Sequence, residues 1–327
     1  MSGGAPSAGR VFVTRPLPPA WLAPLRDAGL TVDVHDAEAP LPTAALHTRA
    51  AGAAGLWMQL TDRVDAALLD AAGPALRVVA TYSVGTNHID AAACRERGVV
   101  VVHTPDVLTD ATADLTMALL LAAARRLPEG QRLVASGGWR GWAATQLLGM
   151  ELRGRTLGVV GLGRIGAAVA ARARAFGMRI AYHQRHARPE AATPLEATFF
   201  ADLDALLGAS DVVTLHAPLT PETHHLLDAR RLALLPPHAL LVNAARGPLV
   251  DEAALVAALR AGRLAGAGLD VYEEEPRVHP GLLELPNVVL APHLGSATVA
   301  TRRAMADLCS SGILAALAGE RPANALG

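Results

Sequence analysis

The chain has 327 residues, of which 51% are hydrophobic and 18% are charged, and its formal net charge at pH 7 is −1. This length and apolar content suffice for two globular domains with separate cores. A net charge so close to zero argues against a surface that binds polyanions, and we expect no nucleic-acid partner.

The cysteines and the N-terminal residues bear on the cellular compartment. Cys94 and Cys309 are distant in sequence and lack the spacing of a metal site or a redox motif, which favours buried thiols and no bound metal. Residues 1–10 lack the apolar core of a signal peptide, and the most apolar helical stretch, 115–124, is shorter than the ~18 residues of a membrane span. We therefore expect a cytoplasmic protein without membrane association, disordered over residues 1–9.

Short apolar runs alternate with helix-length segments along the chain. Their nearly continuous apolar character is typical of strands buried in a parallel sheet. The first series of runs covers 11–14, 31–35, 55–59, 76–83 and 99–104. A long helical stretch follows from about 109 to 136, and a second series covers 156–162, 178–184, 211–217, 239–245, 264–271 and 287–293.

This alternation predicts an α/β protein with two doubly wound parallel-sheet domains. We expect a flavodoxin-like substrate-binding domain built from residues 1–104 and 297–327, because the helical segment 297–319 can pack back on the first unit. Residues 105–296 then form a Rossmann dinucleotide-binding domain, and the cleft between the domains is the expected ligand site.

A glycine-rich motif, GLGRIG, joins the first strand of the second series to a helical pattern. Gly161 permits the tight turn, Gly163 lets the backbone approach a pyrophosphate, and Gly166 lets the helix pack closely on the strand. Together with Arg164 and Ile165, these residues open a helix whose N-terminal N–H groups attract an anion. The motif predicts a bound dinucleotide.

The next strand, MRIAYHQ, lacks the acidic residue that binds the ribose 2′-hydroxyl of NAD about 20 residues after the glycines. Gln184 ends this strand, and Arg185, His186 and Arg188 follow it. A neutral amide followed by guanidinium groups attracts a 2′-phosphate. The pattern favours NADP(H), with NAD(H) as the other cofactor; the alternative is that both arginines are solvated loop residues.

Polar side chains follow three later strands of the second series. Arg246 comes after one strand, the acidic run 273–275 after the next, and His293 after the last. A guanidinium, a carboxylate and an imidazole that converge beyond these strand ends could bind and reduce a 2-oxo acid. Each also has a structural alternative: Arg246 as a turn residue, the acidic run as a solvated turn and His293 as a hydrogen-bonding residue.

Several motifs in the same order resemble the D-isomer-specific 2-hydroxyacid dehydrogenases over nearly the whole chain. Within this family the segments VFVTRPLP, RRLPEG, GGWRGW and YHQRHARPE look most like the glyoxylate/hydroxypyruvate reductases. The motifs that carry the family resemblance are TYSVGTNHID (81–90), TPDVLTDATADL (104–115), GVVGLGRIG (158–166), NAARGPLVDEAAL (243–255), GLDVYEEEP (268–276) and APHLGSAT (291–298).

The resemblance implies a role for each residue of the catalytic set. Arg246 binds the substrate, His293 is the acid/base, and Glu275, directly before a proline, is the partner of His293. Glu273 and Glu274 are then left as solvated residues.

The resemblance also implies further contacts. Asp270 is expected to contact the nicotinamide amide, and Val84 and Gly85 to offer backbone N–H groups to the substrate carboxylate, with Ser83 as a structural residue. Trp142 is expected to reach the active site of a partner subunit, which implies a homodimer; the alternative is a core or interface tryptophan without catalytic contact.

These features predict an NADPH-preferring enzyme that reduces glyoxylate, hydroxypyruvate or both to the D-2-hydroxy acid. The alternatives are a dehydrogenase for another 2-hydroxy acid or for phosphite, and a dinucleotide-sensing binding protein similar to the family's transcriptional corepressors. Formate dehydrogenases are disfavoured, because they pair the histidine with glutamine whereas this chain offers Glu275.

Overall fold

The computed structural model describes residues 9–326. The disorder predicted for residues 1–9 therefore falls almost wholly outside the described residues. The chain divides into two compact units, one built from the residues up to 108 and those from 298 onward, and the other from residues 109–297. The boundaries expected from sequence, after 104 and after 296, lie close to these.

The smaller unit contains a five-stranded parallel sheet with the order β2-β1-β3-β4-β5. This order is that of a flavodoxin-like fold and confirms the prediction. The strands are β1 (Arg10–Val13), β2 (Thr31–Val34), β3 (Gly55–Met58), β4 (Val78–Thr81) and β5 (Val100–Val102). The helices of this unit are α1 (Ala23–Asp27), α2 (Thr43–Ala50), α3 (Ala66–Ala72), α4 (Ala91–Glu96) and α13 (Val299–Leu317).

The larger unit contains a seven-stranded parallel sheet with the order β12-β11-β10-β9-β6-β7-β8. The strands are β6 (Thr156–Val160), β7 (Arg179–His183), β8 (Thr198–Phe200), β9 (Val212–Leu215), β10 (Leu240–Asn243), β11 (Gly266–Leu269) and β12 (Val288–Leu290). The order reverses beside β6, as in a Rossmann fold. The predicted count of six was one short, because β8 is a three-residue edge strand with only partial burial.

The helices of the larger unit cover both faces of this sheet. They are α5 (Thr109–Ala124), α6 (Leu127–Ala135), α7 (Arg164–Ala175), α8 (Pro189–Ala192), α9 (Leu203–Gly208), α10 (Ala229–Leu232), α11 (Glu252–Arg260) and α12 (Pro280–Leu283). The predicted continuous helix 109–136 is wrong in one respect. The helix is interrupted at Arg126, which adopts a left-handed conformation with φ of 53°.

Local sequence explains where many of these helices begin. An aspartate stands at the N-cap of five of them, and its side chain accepts a hydrogen bond from a backbone N–H of the first turn. These caps are Asp65, Asp90, Asp202, Asp228 and Asp251. Each cap satisfies a backbone N–H group that the first turn of a helix leaves without an intrahelical partner.

Successive side chains of a strand point to opposite faces of the sheet, and both faces of the larger sheet are buried. In the larger unit one apolar cluster packs the side of the sheet covered by α9 and α11, and a second packs the side covered by α5 and α7. In the smaller unit a third cluster packs beneath α2, α3 and α4. Both cysteines are buried, and burial raises the pKa of the Cys94 thiol to about 11. No helix within residues 9–326 is long and apolar enough to cross a membrane.

Candidate active site

The glycine-rich turn connects β6 to α7 in the larger unit. Gly161 has a positive φ of 95°, and a Cβ atom there would lie 2.8 Å from the carbonyl oxygen of His216. A Cβ atom on Gly166 would lie 2.2 Å from the carbonyl oxygen of Gly161, so this glycine lets α7 rest on the turn. Both glycines are therefore required by close backbone approach.

The N-terminus of α7 suits an anionic ligand. Gly163 is its N-cap and supplies no side-chain hydrogen bond, and a Cβ atom built there would meet nothing within 4 Å. Arg164 is exposed and Ile165 is half-buried in the first turn. Open space in front of a helix start is the arrangement that accepts a pyrophosphate, and these residues fit a dinucleotide cofactor.

Gln184 ties the end of β7 to this turn. Its Oε1 accepts a hydrogen bond from the Leu162 N–H at 3.1 Å, and its Nε2 donates to the His186 carbonyl at 2.6 Å. A carboxylate at this position could accept the first hydrogen bond but could not donate the second. The amide is therefore part of the local structure as well as a neutral substitute for the acid.

Two arginines follow Gln184 on the surface. Arg185 is exposed, and its charge is a minor contribution, after the hydrogen bond from Thr220, to the lowered pKa of the Glu222 carboxyl. Arg188 is also exposed, and its Nε lies 2.7 Å from Glu190 Oε1. A phosphate bound to Arg188 would therefore have to compete with Glu190.

Arg246 projects from the loop after β10. The buried side chain of Asn243 closes this loop, since its Nδ2 donates to the Arg246 carbonyl at 2.9 Å and its Oδ1 accepts from the Ala245 N–H at 3.0 Å. The next residue, Gly247, packs so tightly on the following loop that a Cβ atom would lie 1.9 Å from the carbonyl carbon of Tyr272. The loops after β10 and β11 therefore touch through backbone atoms.

The electrostatics of Arg246 indicate a cation held near an anion. Desolvation by the surrounding protein lowers the pKa of its guanidinium, whereas the charge of Glu275 raises it. Arg246 also donates to the Ala245 carbonyl at 2.6 Å. The group stays protonated at neutral pH, because the ordinary pKa of arginine lies above about 12.

Glu275 and His293 form the central contact of the site. The Oε2 atom of Glu275 lies 2.9 Å from Nδ1 of His293, and its Oε1 accepts a hydrogen bond from the Tyr272 N–H at 3.1 Å. Both side chains are about three-quarters buried, with 22% and 25% of their surfaces exposed. Because a carboxylate only accepts hydrogen bonds, Nδ1 carries the hydrogen and Nε2 is left to meet a ligand.

Asp270 holds the loop that carries His293. Its Oδ1 and Oδ2 accept hydrogen bonds from the N–H groups of Leu294 and Gly295 at 2.6 and 2.9 Å, and the His293 N–H donates to its carbonyl at 2.9 Å. Burial raises the pKa of the Asp270 carboxyl, and the charges of His293 and Glu275 act on it in opposite directions. His293 itself has a positive φ of 54°, a strained conformation that often marks functional sites.

Glu273 is not the solvated residue that the sequence suggested. Its carboxylate contacts His225 Nε2 and accepts a hydrogen bond from the Glu252 N–H at 3.1 Å, while the Glu252 carboxylate accepts from the Glu273 N–H at 2.9 Å. This reciprocal pair fastens the start of α11 to the loop that carries Glu275. Its neighbour Glu274 is exposed and pairs with Arg277. Glu273 differs from it through contacts with His225 and Glu252, which are distant in the sequence.

The remaining predicted residues lie elsewhere in the chain. Val84 and Gly85 are partly exposed in the loop after β4 of the smaller unit. Trp142 is 85% exposed in the segment that follows α6. Within residues 9–326 no group of three or more His, Cys, Asp or Glu side chains is arranged to hold a metal ion.

The family model for the NAD-binding domain of D-isomer specific 2-hydroxyacid dehydrogenases matches residues 117–295. The chain belongs to this family. It is therefore an NAD(P)-dependent oxidoreductase that binds a nicotinamide dinucleotide, in agreement with the resemblance found in the sequence.

Individual relatives are similar over almost their full lengths. The glyoxylate reductase of Thermococcus onnurineus is 47% identical over 317 residues, covering 96% of this chain and 94% of the relative. A crystal structure from Thermus thermophilus is 51% identical and superposes with a TM-score of 0.91, covering 97% and 100% of the two chains. An NADPH-dependent glyoxylate/hydroxypyruvate reductase from Sinorhizobium meliloti, solved with NADP and malonate, is 38% identical with a TM-score of 0.86, covering 98% and 97%.

Replacing Glu273 by alanine should destabilise the protein, because it leaves the Glu252 N–H and the His225 ring without their acceptor. We expect a loss of about 1–3 kcal/mol in the free energy of unfolding, measured by urea denaturation. The matched control is Glu274→Ala, which removes an exposed ion pair and should cost less than about 0.5 kcal/mol. Equal losses in the two variants would show that the reciprocal pair contributes nothing.

Proposed function

We propose that the protein uses NADPH to reduce a small 2-oxo acid, glyoxylate or hydroxypyruvate, to the D-2-hydroxy acid. The observation that carries this proposal is the Glu275–His293 contact beside the desolvated charge of Arg246. The names of the similar proteins support the choice of substrate class. A cytoplasmic location remains a prediction.

The arrangement assigns a task to each side chain. Arg246 binds the carboxylate and the carbonyl oxygen of the substrate, and the N–H groups of Val84 and Gly85 bind the carboxylate. When bound, the reduced cofactor supplies a hydride to C2. His293 Nε2 gives its proton to the carbonyl oxygen, and Nδ1 keeps its hydrogen because Glu275 holds it. Glu275 thereby orients the ring and selects the tautomer that remains after the transfer.

The cofactor preference rests on the end of β7. Gln184 brings no negative charge to this position, and Arg185 and Arg188 place two guanidinium groups in the loop that follows. Charge-assisted hydrogen bonds from arginine are the usual way to bind a 2′-phosphate. The similar reductase from Sinorhizobium meliloti is NADPH-dependent. We therefore propose NADP(H) as the preferred cofactor and NAD(H) as the weaker one.

The exposed apolar residues of one segment support a homodimer. Large hydrophobic side chains cluster between residues 127 and 148, where a monomer would leave them in water. They are Leu127, Val134, Trp139, Trp142 and Leu148, with exposures of 58%, 62%, 54%, 85% and 65%. We propose that a second copy of the chain covers them and that Trp142 reaches the partner's active site.

Initial rates with glyoxylate, hydroxypyruvate and pyruvate, each with NADPH and NADH, test the function. We expect turnover with the first two acids and a higher kcat/KM with NADPH.

Arg246→Ala should lower kcat by at least ~10²–10³, the usual cost of one lost electrostatic donor in a transition state. Arg185→Glu should lower kcat/KM with NADPH but not with NADH.

Three results would contradict the proposal. Absence of turnover with every 2-oxo acid would favour a dinucleotide-binding protein without catalysis. Near-normal reduction by the Arg246→Ala variant would reject the role of Arg246. A decisive preference of the native enzyme for NADH would reject the interpretation of the β7 end.

Sedimentation equilibrium should give twice the chain mass of 33.8 kDa. Trp142→Ala should then raise KM for the 2-oxo acid without dissociating the dimer, because the indole is proposed to border the partner's substrate. The matched variant Trp139→Ala removes an exposed indole three residues away. Equal kinetic effects of the two substitutions, or a monomer at micromolar concentration, would argue against this assignment.

A further inference from the structure

In the loop after β4, hydrogen bonds hold three consecutive backbone carbonyl groups. The carbonyl oxygens of Ser83, Val84 and Gly85 all accept hydrogen bonds from within the smaller unit. Their donors are the Thr104 N–H at 3.0 Å, His103 Nδ1 at 3.2 Å and Ser83 Oγ at 2.7 Å. Each of these three consecutive peptide groups is therefore fixed through its carbonyl oxygen.

The N–H of each of these peptide groups points away from its own anchored carbonyl. These peptide bonds are trans, and a trans peptide group directs its C=O and its N–H in opposite directions. Anchoring the carbonyls of residues 83–85 thus aims the N–H groups of Val84, Gly85 and Thr86. Within residues 9–326 these three N–H groups meet no acceptor, and all three residues are partly exposed. Successive backbone N–H donors without a protein acceptor can bind an anion.

The donors to the carbonyls are themselves ordered. Ser83 Oγ donates its only hydrogen to the Gly85 carbonyl, so it must accept from Thr81 Oγ1 at 2.8 Å. Thr81 Oγ1 must in turn accept from His88 Nε2 at 2.9 Å. The donor and the acceptor of each hydrogen bond in this series are thereby determined, from the His88 ring to the Gly85 carbonyl.

His103 is held from the C-terminal segment. Its N–H donates to the Asn324 carbonyl at 3.2 Å, and Asn324 Nδ2 donates to the His103 carbonyl at 2.7 Å. Asn324 is buried, and its amide also reaches the Leu308 carbonyl of α13. Because the Val84 carbonyl only accepts, His103 Nδ1 carries the hydrogen in this contact.

We propose that Ser83 and His103 are positioning residues that turn the peptide groups of residues 83–86 so that three N–H groups, including that of Thr86, bind the substrate carboxylate. The inference rests on the proposed function and adds to it a third donor and the side chains that aim the row. Gly85 lacks a Cβ atom, so its peptide groups could rotate unless both carbonyls were held.

The test compares variants in steady-state reduction of glyoxylate with NADPH. His103→Leu and Ser83→Ala each free one peptide group, and each should raise KM for glyoxylate and the inhibition constant of oxamate about 3- to 10-fold. The value of kcat should stay within about twofold, because carboxylate binding is the same in the ground state and the transition state. His103→Asn retains a donor at the Nδ1 position and should restore KM.

Two controls separate positioning from general structure. His35 follows β2 at the same edge of the sheet, and its ring contacts the exposed Asp36, so His35→Leu should leave KM unchanged. The dissociation constant for NADPH and the melting temperature should be similar in His103→Leu and His103→Asn.

Unchanged KM in both His103→Leu and Ser83→Ala would overturn the inference while the native enzyme remained active. Failure of His103→Asn to restore KM would also overturn it. A native enzyme that reduced none of the 2-oxo acids would instead reject the proposed function.

Discussion

The contact between the Glu275 carboxylate and Nδ1 of His293 is the interaction on which the rest of the site depends. It joins the loops after two neighbouring strands, β11 and β12, which pair in parallel and end at the same edge of the sheet. A carboxylate that accepts from Nδ1 orients the imidazole ring and fixes its tautomer. The surrounding structure is arranged to hold both partners: the Tyr272 N–H donates to Glu275, and Asp270 accepts from the backbone N–H groups of His293, Leu294 and Gly295.

Burial of several charges at one place demands that they balance. Glu275 stabilises the cation of Arg246, which desolvation disfavours, and His293 offsets the burial of Asp270. Removing one member of such a set leaves the others desolvated and unpaired, which is more costly than the loss of one hydrogen bond. Backbone contacts at Gly247 and the Glu252–Glu273 pair keep the loops after β10 and β11 together, so the charged groups do not have to hold them. The same logic applies in the smaller unit, where anchored carbonyls leave a row of N–H groups available.

The sequence predicted the sheet types, the strand positions and the cofactor class, because buried parallel strands and glycine-rich turns leave local patterns. It missed β8 and the break at Arg126, since a three-residue edge strand and a single left-handed residue have no periodicity. The separation of Glu273 from Glu274 was also beyond it, because their environments differ only through His225 and Glu252, both distant in the chain. Ser83 was expected to be a structural residue, and the role proposed for it together with His103 was not predicted for the same reason. Strand ends indicated where polar residues gather, but tertiary contacts decide which of them act.

A double-mutant cycle on kcat/KM for glyoxylate with NADPH tests the central claim most directly. Glu275→Gln, His293→Gln and the double variant are compared with the native enzyme by initial rates. If Glu275 acts through His293, the double variant should be no slower than His293→Gln alone, because residues that work as a unit are strongly non-additive. Losses that multiply, as for independent sites, would contradict the account.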